Sequence, residues 1–138
     1  MRRNAIAVLG ALSIAVGMAG PLVAAGTVSL DLSDFNDDVM RDMDDTMKRL
    51  DSNIAARDAA SVATDAQSIR DGLKWAQDYF TKKGNVEDAV KWAKQGQDLA
   101  DAVAKSARSS DFDTSLSTYD SLVKTCRACH DAYKPPDI

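Results

Sequence analysis

Four stretches of this chain repeat their apolar residues at alternating intervals of three and four, and short links separate them. That period puts apolar side chains on one face of a helix, and no stretch shows the two-residue alternation of a strand. The first stretch runs from about Asp34 to Ala56, with Met40, Met43, Met47, Leu50 and Ile54 on its seam and Phe35 and Val39 beside it. The second runs from about Ala59 to Lys82 through Val62, Ala66, Ile69, Leu73, Ala76 and Phe80. The third follows Asn85, a good N-cap with Asp88 three positions on, and its seam is Val86, Ala89, Ala93, Gly96, Ala100 and Val103. The fourth follows Asp111, with Phe112, Leu116, Tyr119, Val123, Cys126, His130 and Tyr133 on its seam, and Pro135-Pro136 stop it. Helices of about 22 residues, or about 33 Å, joined by short links must run antiparallel to their neighbours. The expected fold is all-α, an antiparallel up-down-up-down four-helix bundle.

The fourth seam carries the chain's chemistry. Both cysteines and the only histidine lie within Cys126-Arg127-Ala128-Cys129-His130. C-x-x-C-H is the attachment pattern of c-type haem. On a helix, Cys126 and Cys129 stand three apart and His130 stands four from Cys126, all on one face. Two thiols can then form thioethers with the haem vinyl groups while the imidazole turns toward the iron. Three rivals use similar residues. A redox dithiol also has C-x-x-C, but normally at the start of a helix, where the dipole lowers the thiol pKa. A zinc site wants four ligands, and only three Cys and His exist. The third rival is a structural disulfide.

Thr125 to Pro136, TCRACHDAYKPP, resembles the C-terminal helix of the cytochrome c′ family, the class II c-type cytochromes, in which the motif is followed by an aromatic and a basic residue. Elsewhere the resemblance rests on helix number and order. It implies one covalent haem c held by Cys126 and Cys129, with His130 as the proximal iron ligand. It places Arg41 near a haem propionate and Arg127 beside the proximal histidine, with Lys134 as the basic residue after Tyr133.

With one histidine, the sixth iron ligand is methionine, lysine, water or nothing. The family's distal residue falls near Met43, with Met40 and Met47 a turn either way. Its low-spin members use a first-helix methionine, and its five-coordinate members bind nitric oxide or carbon monoxide. Methionine at helical spacing is also ordinary core filling.

Length sets one domain. Arg2-Arg3, an apolar run from Ala5 to Ala19 and the small residues Val23-Ala24-Ala25-Gly26 read as a secretory leader. The expected division is a cleaved signal peptide at 1–25 and a haem-binding four-helix domain at 26–138. The apolar run is short for a membrane span, and no second one follows, so no span is expected after cleavage. The location expected is the periplasm. The chain has 17 Lys and Arg against 21 Asp and Glu. Losing Arg2 and Arg3 leaves 15 against 21, a net charge of −6. That balance argues against nucleic acid and suits a redox partner with a basic surface.

The first helix is rich in aspartate: Asp31, Asp34, Asp37, Asp38, Asp42, Asp44 and Asp45. Such charge argues against the homodimer that the family forms through its first and second helices. Trp75, Tyr79 and Trp92 fall off the small-residue seams and read as core edge or interface. Small residues on the third seam would admit a haem or a neighbouring helix. No acid–base dyad or nucleophile–base pair is visible, so no enzyme is expected. The function expected is electron transfer by a monohaem cytochrome. A gas-binding haem protein is the first alternative, and a haem-free helical dithiol the second.

Overall fold

The computed structural model describes residues 30–134, and the expected leader and the closing Pro135-Pro136 lie outside them. Four helices make up the fold: α1 (Asp37–Ala55), α2 (Ala59–Lys83), α3 (Glu87–Arg108) and α4 (Phe112–Tyr133). Among the described residues there is no strand, and no helix is long and apolar enough to cross a membrane.

Three of the four helices begin where a side chain satisfies their first amides. Asn36 caps α1 by accepting from the Asp38 amide. Asp58 caps α2 through the Ala60 and Ser61 amides, and Asp111 caps α4 through Thr114. The first helix therefore starts later than its aspartates suggest. Asp34 lies before the cap and is taken up by Lys83 and Tyr79, at 2.7 and 2.6 Å. Asn85 is not the cap of α3. Its φ of 56° makes it the left-handed residue of the link, and Val86 takes the cap position with no side-chain hydrogen bond. The links turn on left-handed residues: Arg57 after α1, Gly84 and Asn85 after α2, Ser110 after α3.

The α2 seam is buried throughout, from Val62 to Phe80, and so is the α3 seam from Val86 to Val103. Leu50, Ile54, Ile69, Val103 and Leu122 form the centre of the core. The buried face of α4 is rotated from the expected seam. Leu116 is 47 % exposed, while Ser115 is fully buried. The Ser115 hydroxyl can be buried because it lies 2.8 Å from that of Ser106 and donates to the Asp111 carbonyl at 3.0 Å. Leu122 and Thr125 complete that face.

Helices α2 and α3 pack most closely, followed by α3 with α4 and α1 with α2, while α1 and α4 touch only sparsely. Helix α1 is fastened to α2 instead. Asp65 of α2 is 7 % exposed and accepts from Asn53 at 2.8 Å and from Arg49 at 3.3 Å. Phe35 meets Trp75 and Tyr79 edge-on, with ring centres 5.1 and 4.8 Å apart. A helix held on one side leaves a gap on the other, and the gap between α1 and α4 is where the site lies.

Candidate functional site

The gap is a cavity of about 360 Å³ with contributions from all four helices. Met40, Met43 and Met47 line it from α1; Cys126, Cys129 and His130 line it from α4. Leu73 and Phe80 of α2 and Trp92, Ala93 and Gly96 of α3 form apolar walls between them. The volume lies within the range of small-molecule and cofactor sites, about 300–1,000 Å³. Tyr119 and Met47 bound the cavity on the side toward the packed core, where the Tyr119 hydroxyl donates to the Met47 carbonyl.

Both thiols are free and half-buried, with no disulfide between them. Burial pushes the Cys126 thiol up, and burial together with Cys126 and Asp88 pushes Cys129 up to about 11. His130 lies at the cavity mouth with an exposed side chain. Partial desolvation and the charge of Lys134 lower its pKa, against the opposing pull of Asp131 and Asp44. The imidazole is neutral at pH 7 and keeps a lone pair for a metal. Among the described residues, no three His, Cys, Asp or Glu side chains gather into a group that could hold a metal ion.

Arg127 lines the cavity as its place beside His130 suggests. Arg41 does not. Its guanidinium pairs with Asp38 one turn back, at 3.1 Å, and stays 71 % exposed. The second cationic group lining the cavity is Lys48, held by Asp44 at 2.7 Å and Asp45 at 3.1 Å. The signal for it was present in sequence: Lys48 follows Met47 directly and stands four from Asp44, a favourable pairing on a helix.

Trp92 is a cavity wall rather than core edge, set edge-on to Tyr133 with ring centres 6.3 Å apart. Trp75 and Tyr79 belong to the Phe35 cluster. The small residues of α3 let neighbouring side chains come close. Gly96 lines the cavity, and a Cβ there would lie 2.8 Å from Leu73 Cδ1, so the helices pack on its bare backbone.

The residues fit a haem in three respects. The thiols are unpaired, the walls around them are apolar, and the imidazole stands beside the thiols at the opening. No family model, curated protein or solved structure matches the chain.

Proposed function

We propose that this chain is an exported monohaem c-type cytochrome of the cytochrome c′ type that carries electrons in the periplasm and turns over no substrate. Cys126 and Cys129 would hold the haem through thioethers, and His130 would ligate the iron. Haem c supplies a reversible one-electron step at iron. The chain's part is to hold it, exclude water and fix the axial ligands. Lys48 and Arg127, cations lining the cavity from facing helices, suit the carboxylates of such a ligand. The partner we propose is a redox protein with a basic surface, not nucleic acid.

One observation carries the reading. The C-x-x-C-H residues and the three methionines, about 80 positions apart in sequence, converge on a single apolar cavity. The proposed helix order is up-down-up-down. Links of about three residues support it. So do contacts between opposite ends: Asp34 before α1 with Lys83 ending α2, Arg57 after α1 with Asp113 beginning α4, and Tyr133 ending α4 with Asp88 beginning α3. The dithiol alternative fits less well. A redox dithiol needs a lowered thiol pKa, and these thiols are raised and sit at the end of α4 rather than its start.

Gas binding stays as a second reading on one observation. The Met43 sulfur rests against α2 at Gly72, so the thioether has a seat other than the iron.

Expression with a cytochrome maturation system tests attachment. Acid–acetone should leave the colour on the denatured protein, and Cys126→Ala with Cys129→Ala should abolish it. Colour that leaves with the solvent would overturn the haem c reading.

A further inference from the structure

Met43 lies between two cavities and lines both. It lines the inner apolar cavity, and it also lines an outer polar cleft of about 500 Å³ formed with Asp42, Thr46, Arg49, Ser68 and Gly72. Its sulfur lies toward the outer side. A Cβ built on Gly72 would stand 2.5 Å from Met43 Sδ and 2.7 Å from Cγ, well inside contact distance. Gly72 sits in the interior of α2, where glycine is the least favourable residue after proline, so its presence asks for a reason. The reason is the notch it leaves for this thioether.

We propose that Met43 has two seats, one in the Gly72 notch and one turned into the inner cavity toward the haem iron, and that Gly72 sets the balance between them. This deepens the haem reading and rests on it. Methionine turns about three bonds and adapts to either environment. The outer cleft sets Val39 and the bare backbone of Gly72 among carboxylates, a guanidinium and hydroxyls, so it seats the thioether without giving it a ligand partner. The inner cavity faces the C-x-x-C-H wall. With Met43 in the notch, the cavity between α1 and His130 would be left free for a diatomic gas. With Met43 turned in, its thioether would occupy that space and hold the iron, leaving an electron carrier. A gas and Met43 then compete for one position, and Gly72 gives the displaced side chain somewhere to go.

Gly72→Ala closes the notch. The atom it strikes is the far end of a flexible side chain, while the neighbours Ile69 and Leu73 hold α2 in the core, so Met43 yields rather than the helix. In the haem-loaded full chain, Gly72→Ala should raise the low-spin fraction of the oxidised spectrum. It should weaken carbon monoxide binding to the reduced protein by about tenfold or more, as the competent population shrinks. Adding Met43→Leu to Gly72→Ala should restore carbon monoxide binding. In methyl-labelled methionine NMR of the reduced protein, the Met43 signal should move into the ring-current region, with Met40 and Met47 little changed. Covalent haem with no change in spectrum, affinity or Met43 signal overturns the two-seat proposal and leaves the haem reading standing. A double variant that keeps the weakened affinity also overturns it, because alanine would then act without Met43. Failure of covalent attachment overturns both together.

Discussion

Tyr119 of α4 reaches across to α1 and donates its hydroxyl to the main-chain carbonyl of Met47, at 3.3 Å. The pairing matters because α1 and α4 otherwise meet sparsely. Above it the two helices stand apart around the cavity; its ring forms part of the cavity lining. The contact therefore sets the spacing of the walls that carry the methionines and the C-x-x-C-H residues. Burial raises the Tyr119 pKa, so the phenol keeps its proton and stays a donor through neutral pH.

Tyr119→Phe should keep the fold and loosen the N-terminal half of α1. At this length the bond should contribute about 0.5 kcal/mol, the low end for a neutral hydrogen bond. The clearer readout is hydrogen exchange, which should quicken for α1 amides around Met43 to Met47 and not for α2 or α3. Unchanged exchange in α1 would remove Tyr119 as a clamp.

Asp65 should be the most sensitive polar side chain of the bundle. It is buried and receives Asn53 and Arg49 from α1, and Arg49 also donates to Thr46 at 2.8 Å. Asp65→Ala leaves those donors without their acceptor and should cost about 1–3 kcal/mol in urea unfolding. Because the cluster fastens α1 to α2, the variant should also unfold at lower urea than a surface control such as Asp71→Ala, with faster hydrogen exchange in α1. Equal stability of the two variants would mean that the Asp65 contacts contribute nothing net.

The seams of α2 and α3 were legible because apolar residues at intervals of three and four leave little choice of buried face. The face of α4 was less so. A pattern reading favours Leu116 over Ser115, yet Ser115 is buried, because a nearby hydroxyl and a helix carbonyl satisfy it. Asn85 has the chemistry of a cap, but the link needs a left-handed residue there, and asparagine serves that as well. The facing of methionines and C-x-x-C-H was readable because both lie on seams. Arg41 pairs with Asp38 three positions earlier on the surface, a contact that the acidic spacing of α1 allows. Trp92 and Gly72 depend on which helix faces which across the bundle, and no local pattern encodes that.

Stability should be lost in acid through a few identified carboxylates. Hydrogen bonds from Ser61 hold the Asp58 carboxyl below its ordinary range, and those from Thr114 do the same for Asp111. Lys83 and Tyr79 lower Asp34. Each folded pKa lies below the unfolded one, so each contribution is complete above the ordinary carboxylate pKa of about 3.9 and disappears as pH falls through the lowered value. The melting temperature should hold from pH 7 to about pH 5 and then fall. Asp58→Asn combined with Asp111→Asn should flatten that acid slope, since asparagine caps a helix without titrating. An acid slope as steep as that of the parent would assign the loss to other groups.

Helix α1 should also govern how a partner approaches. Between Asp37 and Lys48 it carries five aspartates, of which Asp38 pairs with Arg41 and both Asp44 and Asp45 pair with Lys48. These pairs are exposed and each neutralises locally, but Arg41 and Lys48 are the only cations of that segment, so a negative field remains over this edge of the cavity. A field of that kind steers a basic partner at long range and is screened over about 10 Å at 0.1 M salt. The electron-transfer rate with a basic redox protein should therefore fall steeply as salt rises from 10 to 200 mM, values chosen to span roughly a threefold or greater change in screening length. Asp37→Asn with Asp42→Asn should lower the rate at low salt and flatten its salt dependence, while leaving the spectrum of the protein unchanged. A double variant whose rates track the parent at every salt concentration would place the docking surface elsewhere and leave the α1 aspartates to the helix dipole and solubility.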